Sequence, residues 1–440
     1  MLGFARFVLV GCLSAWATVA VGSATPATGD PSAPAGISAF PGAEGPAAAT
    51  PGGRGGQILR VTTLEPTGPG SLLAAIETPG PRIIVFEVGG VIDLGQRTVN
   101  IREPYVTIAG QTAPSPGVTL IRGGIDIRTH DVVIRHLRIR PGDAGGVRFK
   151  GPDFDAISTV AGHDVIVDHC SLTWATDENL SASGPRFAGA TAADWRLGTS
   201  YNVTFSHNLI AEGLAHSVHP KGEHSKGSLI HDNTSGILIV GNLYAHNHER
   251  SPLFKGGAQG WVVNNLIYDP GQRAMHYNLI AEEWRGHPFV TGKIAAVGNV
   301  LRAGPSTPTG LSLFMVGGSG DLDLYLADNL AVDRWGSPLP LRGSYTTAPV
   351  KVTLLSRPDL PTGLKPLPAR LVQDAVIKEA GARPWERDAH DVRVVANVIE
   401  GRGGIIDSEG DVGGYPVVAP TAAPFREEEW DLATMERRRP

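Results

Sequence analysis

A short β-branched run ending in a polar turn recurs down the chain. It is clearest in VIVDHCSLTWATDEN from Val165. It returns as VTIAGQT from Val106, VVIRHLR from Val132, VTFSHNL from Val203, ILIVGNL from Ile237, GWVVNNL from Gly260, IAAVGNV from Ile294 and LYLADNL from Leu324. One column of that alignment reads Gln111, Leu137, Cys170, Asn208, Asn242, Asn265, Asn299 and Asn329, spaced 26, 33, 38, 34, 23, 34 and 30 residues apart. Such a period belongs to a solenoid in which each supersecondary unit stacks on the next. The runs are of strand length, bounded by Gly, Asn, Asp or Pro, with no helical period between them. They predict stacked parallel strands, hence a parallel β-helix of class all-β. The asparagine column predicts a stack, each amide donating to and accepting from the amide in the next coil.

The flanks predict the ends of the solenoid. Ser71 caps a short helix through Glu77, suited to cover the first coil, and the strands Arg82–Val88 and Val91–Leu94 start the stack. Gly184–Ser200 reads as a long insertion that shapes a groove. Leu367–Ala380 and Asp388–Glu400 have helical spacing and should pack on the barrel, whereas the charged Arg426–Pro440 reads as a loosely held end. The expected division is 37–345 for the β-helix and 346–440 for a C-terminal extension with short helices. Arg135, Arg138 and Arg140 read as solvated charges, Arg138 and Arg140 on one face.

Composition adds limits. Gly 56 and Pro 34 suit a chain with several tight turns per coil, and 6% aromatic residues predict an aliphatic core. Met1–Ala24 has the charge, apolar run and small-residue end of a secretory signal, followed by the Pro/Ala/Gly-rich linker Thr25–Gly36. Leu9-Val-Gly-Cys12 also resembles a lipoprotein box, although its apolar run is short. Without the signal, Cys170 is the one remaining cysteine, and the formal charge goes from −5 to −6 because Arg6 leaves. That predicts a secreted or periplasmic monomer without an internal disulfide, with no membrane attachment and no nucleic-acid partner.

Three clusters carry candidate chemistry. Asp168, Asp177 and Glu178, with Asp155 upstream, offer hard oxygens suited to Ca²⁺. Arg250 and Lys255 follow the Asn242 bend, and His216, Lys221 and Lys226 lie in a polar loop. Seven of the 14 histidines fall between His207 and His248. Their spacing lacks HExxH or a Cys/His pairing, so turn or sugar-bonding roles are expected rather than zinc.

IVDHCSLTW from Ile166, NVTFSHN from Asn202 and HERSPLFK from His248 resemble the signature segments of the pectate lyases of polysaccharide lyase family 1. AFPGAEG from Ala39, GGRGG from Gly52, GPGSL from Gly68, GQTAP from Gly110, RDAHDVR from Arg387 and VGGYP from Val412 resemble a bacterial branch of that superfamily. The resemblance implies a right-handed parallel β-helix and calcium-assisted β-elimination on an anionic polyuronate such as polygalacturonate. By position it assigns Asp168 and Glu178 to the metal, Arg250 to catalysis and Lys255 to substrate binding. Asp155 falls where related enzymes have a further acid. Ala182 stands where a second carboxylate is usual, so Asp177 would substitute. The family's substrate lysine falls on Ala215, leaving His216, Lys221 and Lys226 as substrate-binding candidates. A β-helix glycoside hydrolase and a non-catalytic carbohydrate-binding adhesin are the rival readings.

Overall fold

A computed structural model describes residues 37–346 and 350–438. The expected signal, the linker and Cys12 lie outside the described residues. Three sheets of eleven, nine and ten strands run side by side, and a full coil gives one strand to each. One coil illustrates the path. His163–Asp168 lies in the eleven-stranded sheet, Ser171–Thr173 in the ten-stranded sheet and Glu178–Ser183 in the nine-stranded sheet. Within these sheets the neighbours are parallel, except that Thr421–Ala422 pairs antiparallel with Val88 and Gly89. This is the predicted parallel β-helix.

The bend between the first two strands of a coil explains the sequence column. His169, His207, Gly241, Asn264, Gly298 and Asp328 each hold a left-handed backbone, with φ between 48° and 69°. Glycine and short polar residues tolerate that conformation best. The next residue points inward. Asn208 donates from Nδ2 to Asn242 Oδ1 at 3.0 Å, and the same bond joins Asn242 to Asn265, Asn265 to Asn299 and Asn299 to Asn329. Each Oδ1 also accepts the preceding column residue's backbone N–H, beginning with Cys170 on Asn208 at 2.8 Å. All these polar groups are buried and paired.

Val, Ile and Leu dominate the core, but Phe86, Phe205, Tyr244, Phe254, Tyr277 and Phe314 also enter it, so it is less purely aliphatic than composition suggests. Helix α1, Leu72–Glu77, is capped by Ser71 and inserts Leu72, Ala75 and Ile76 into that core at the first coil. The insertion carries α2, Ala192–Gly198. Helices α3, Ala369–Glu379, and α4, Ala389–Glu400, pack on the ten-stranded sheet through Val372, Val376, Val394 and Val398.

Two expectations change. Arg138 and Arg140 are buried, because α4 and its cap supply Asp388 and Asp391; Arg140 reaches them at 2.7 and 2.9 Å. The charged end is also anchored as far as Arg438. Phe425 and Met435 bury against Ile83, Val85 and Ala109, and Trp430–Asp431 pairs with Glu436–Arg437.

Asn265→Ala removes an acceptor for two donors of Asn242 and a donor to Ile239 O. Each orphaned buried group costs about 1–3 kcal/mol. The expected result is a clearly lower denaturant midpoint with the slope unchanged, read by equilibrium unfolding.

Candidate active site

The nine-stranded sheet collects the polar residues that the core rejects. Its strands alternate, so that Leu180, Ala182, Ile230, Phe254 and Tyr277 face the core while Ser181, Leu229, Lys255 and His276 occupy the opposite face. At the start of these strands Asp155, Asp177 and Glu178 converge, with one oxygen of each within 4.8 Å of the others. Asp155 is fixed by the Glu178 N–H at 3.0 Å and the Ser181 hydroxyl at 2.5 Å.

The electrostatics of the three differ. Burial, and then the charge on Asp177, push the Asp155 carboxyl well above its usual range. Burial opposes the Asp177 charge too, but the imidazoles of His219 and His224, 3.6 and 3.3 Å away, outweigh it and hold that carboxyl below its usual range. Two polar-loop histidines thus turn their rings on an acid of the cluster. Three carboxyl groups whose oxygens converge in this way can hold a hard cation.

Arg250 closes the cluster from the next coils, its Nη1 on Glu178 Oε1. Burial lowers its pKa from the ordinary arginine value, against the raising effect of Asp177 and Asp155. Lys226 is the register partner of Glu178 and donates to Glu249. Glu249 also takes Arg273 Nε at 2.8 Å, and the Arg273 guanidinium lies 4.5 Å above the Tyr345 ring. Burial works against the Glu249 charge, yet His276, Lys226 and Arg273 bring its pKa down to about 2. Burial, with the charges on Arg273 and Arg250, takes His276 down to about 3.

The other sequence candidates divide. Asp168 does not join Glu178. It ends a strand of a different sheet, where Arg135 Nε at 2.9 Å, His169 Nδ1 at 2.8 Å and the Ser206 hydroxyl at 2.8 Å already surround it. Burial disfavours its charge, but His169 and Arg135 prevail and keep its pKa well below the usual range. Asp155, Asp177 and Glu178 thus form the acidic cluster without Asp168, which groups instead with His136 and His169. Lys255 lies further along the same sheet, Lys221 is exposed on its loop, and His216 is tied to Asp407 at 2.9 Å. Glu249, Arg273 and His276 were not singled out from the sequence. Glu249 alone carried a signal, as the neighbour of Arg250.

No family model matches the chain. Over 270 residues it is 37% identical to a protein named probable pectate lyase C from Aspergillus terreus, covering 61% of this chain and 55% of that protein. A protein of the same name from Emericella nidulans is also 37% identical over 270 residues, 54% of its length. The chain is a homologue of these proteins. It spans about half the length of these relatives, and because both are fungal the likeness is not confined to a bacterial branch. Among solved structures, jun a 1, the major allergen from cedar pollen, superposes with a TM-score of 0.51 at 18% identity, covering 77% of this chain and 92% of that one. The shared fold is the right-handed parallel β-helix.

Because its pKa is raised, folded Asp155 holds a proton to higher pH than the unfolded carboxyl, whose pKa is about 4. Its contribution to stability is thus present at low pH and lost as pH rises through the folded value. In chelator, Asp155→Asn is expected to match wild type in thermal midpoint near pH 4 and exceed it near pH 8; equal midpoints at both would contradict the assignment.

Proposed function

We propose that the protein is a secreted polysaccharide lyase that cleaves polygalacturonate by calcium-assisted β-elimination, leaving a 4,5-unsaturated uronate at the new end. The observation that carries the reading is the meeting of Asp155, Asp177 and Glu178 with Arg250 on one face of the nine-stranded sheet. Homology to proteins named probable pectate lyase C supports it. No helix among the described residues is long and apolar enough to cross a membrane.

Elimination removes the C5 proton of a uronate and builds negative charge on C5 and its carboxylate. Asp155, Asp177 and Glu178 would hold calcium, which would supply neutralisation of that carboxylate and so acidify the proton. Arg250 is the base. A guanidinium ordinarily keeps its proton above pH 12 or so, and burial moves Arg250 in the needed direction. Lys226, Arg273 and Lys255, each paired with a carboxylate, line the groove with cations that orient a polyanion as those pairs exchange. The departure at Ala182 is met by Asp177, which takes part in the acidic cluster in its place. A hydrolase needs its two carboxyl groups about 5–9.5 Å apart across a bond. The relatives, named probable pectate lyases, do not favour that rival.

Wild type with polygalacturonate is expected to give a rise in conjugated-ene absorbance that needs calcium and stops with excess chelator. Arg250→Ala is expected to lose at least about a hundredfold in kcat with circular dichroism unchanged, as for loss of one preorganised charge stabiliser. Saturated products, or near-normal turnover by the variant, would overturn the reading.

A further inference from the structure

Lys255 keeps the charge of the arginine that the family resemblance implies there, but not the two-pronged geometry that grips a carboxylate. A guanidinium stands beside it. Arg186, from the insertion that interrupts the coil after Ser183, reaches the same acids as Lys255. Its Nε donates to Asp232 Oδ2 at 3.0 Å and its Nη2 to Glu283 Oε2 at 2.8 Å. Lys255 Nζ donates to Glu283 Oε2 and lies 3.5 Å from Asp232 Oδ2.

The two acids are not equivalent. Asp232 is fully buried and further fixed by Trp284 Nε1 at 2.7 Å, so its carboxylate is held in place. Glu283 lies on the 3-10 turn Ala281–Trp284, and its side chain is 33% exposed. Burial takes the adjacent His231 to about 4, so that ring adds no charge at neutral pH. Two cations against one fixed carboxylate leave a single positive charge, which Glu283 satisfies from the solvent side. An exchange of Glu283 for another carboxylate keeps the balance and leaves no buried charge unpaired.

We propose that Arg186 and Lys255 together form a subsite for a uronate carboxylate, and that Glu283 fills the place of that carboxylate in the free protein and swings out as the polymer binds. The proposal rests on the lyase reading for its ligand class. It gives the insertion a role in the groove, since Arg186 supplies the fork that Lys255 lacks.

Opposite signs test it. Binding of saturated trigalacturonate is measured by calorimetry, which needs no turnover, in calcium buffer with wild type, Glu283→Gln and Arg186→Gln. Glu283→Gln is expected to bind at least about threefold tighter and Arg186→Gln about tenfold weaker, the size of one charge-assisted hydrogen bond. Fully methyl-esterified trigalacturonate is expected to show neither change. If Arg186→Gln does not fold, Glu283→Gln decides alone. Unchanged or weaker binding by Glu283→Gln, or no binding of trigalacturonate by wild type, would overturn the subsite. Failure of wild type to form unsaturated product while these binding shifts persist would instead overturn the lyase reading.

Discussion

The register between coils is the constraint on which the rest depends. In a parallel strand a slip of one residue moves every side chain to the other face. The buried asparagine stack resists such a slip, because each amide bonds both the side chain and the backbone of its neighbour. With register held, Glu178 lies beside Lys226, Lys226 beside Glu249, and Arg250 arrives over Glu178. The functional face is thus a consequence of the same periodicity that packs the core on the other side of the sheet.

The second theme is charge balance. The cations of the groove are held by carboxylates rather than left free: Lys226 and Arg273 by Glu249, Arg250 by Glu178, Arg186 and Lys255 by Asp232 and Glu283. This arrangement fixes long side chains at little net charge, so that side-chain ordering does not have to be met at the moment of binding. Within the acidic cluster Glu178 takes Arg250 and Asp177 faces His219 and His224, which leaves Asp155 as the exception. Asp155 and Asp177 repel each other, and the first answers with a raised pKa. Carboxyl groups converging in this way can take a cation.

The strand phrase and the asparagine column carried the fold openly, since a period repeated eight times stands above local ambiguity. The chemistry was less legible. Asp168, at the end of the organising strand, attracted the metal assignment because it lies close to Asp177 and Glu178 along the chain. A β-helix coil turns between those positions and sends them to different sheets. Asp155 meets Glu178 instead, because the strand that follows it, Ile157–Val160, is the sheet neighbour of Glu178–Ser183. Arg138 and Arg140 could not be read as buried, since their partners Asp388 and Asp391 come from about 250 residues away. Arg186, in an Ala/Gly-rich insertion, had no periodic signal at all.

The central claim is that Asp155, Asp177 and Glu178, and not Asp168, hold the cation that works with Arg250. Crystals grown with terbium, a hard oxygen-seeking stand-in for calcium, test it directly through the anomalous signal. The account predicts a peak among the carboxylates of Asp155, Asp177 and Glu178, beside the Arg250 guanidinium. A peak at Asp168, or none at the three-acid cluster when the ion is bound elsewhere in the groove, would contradict it.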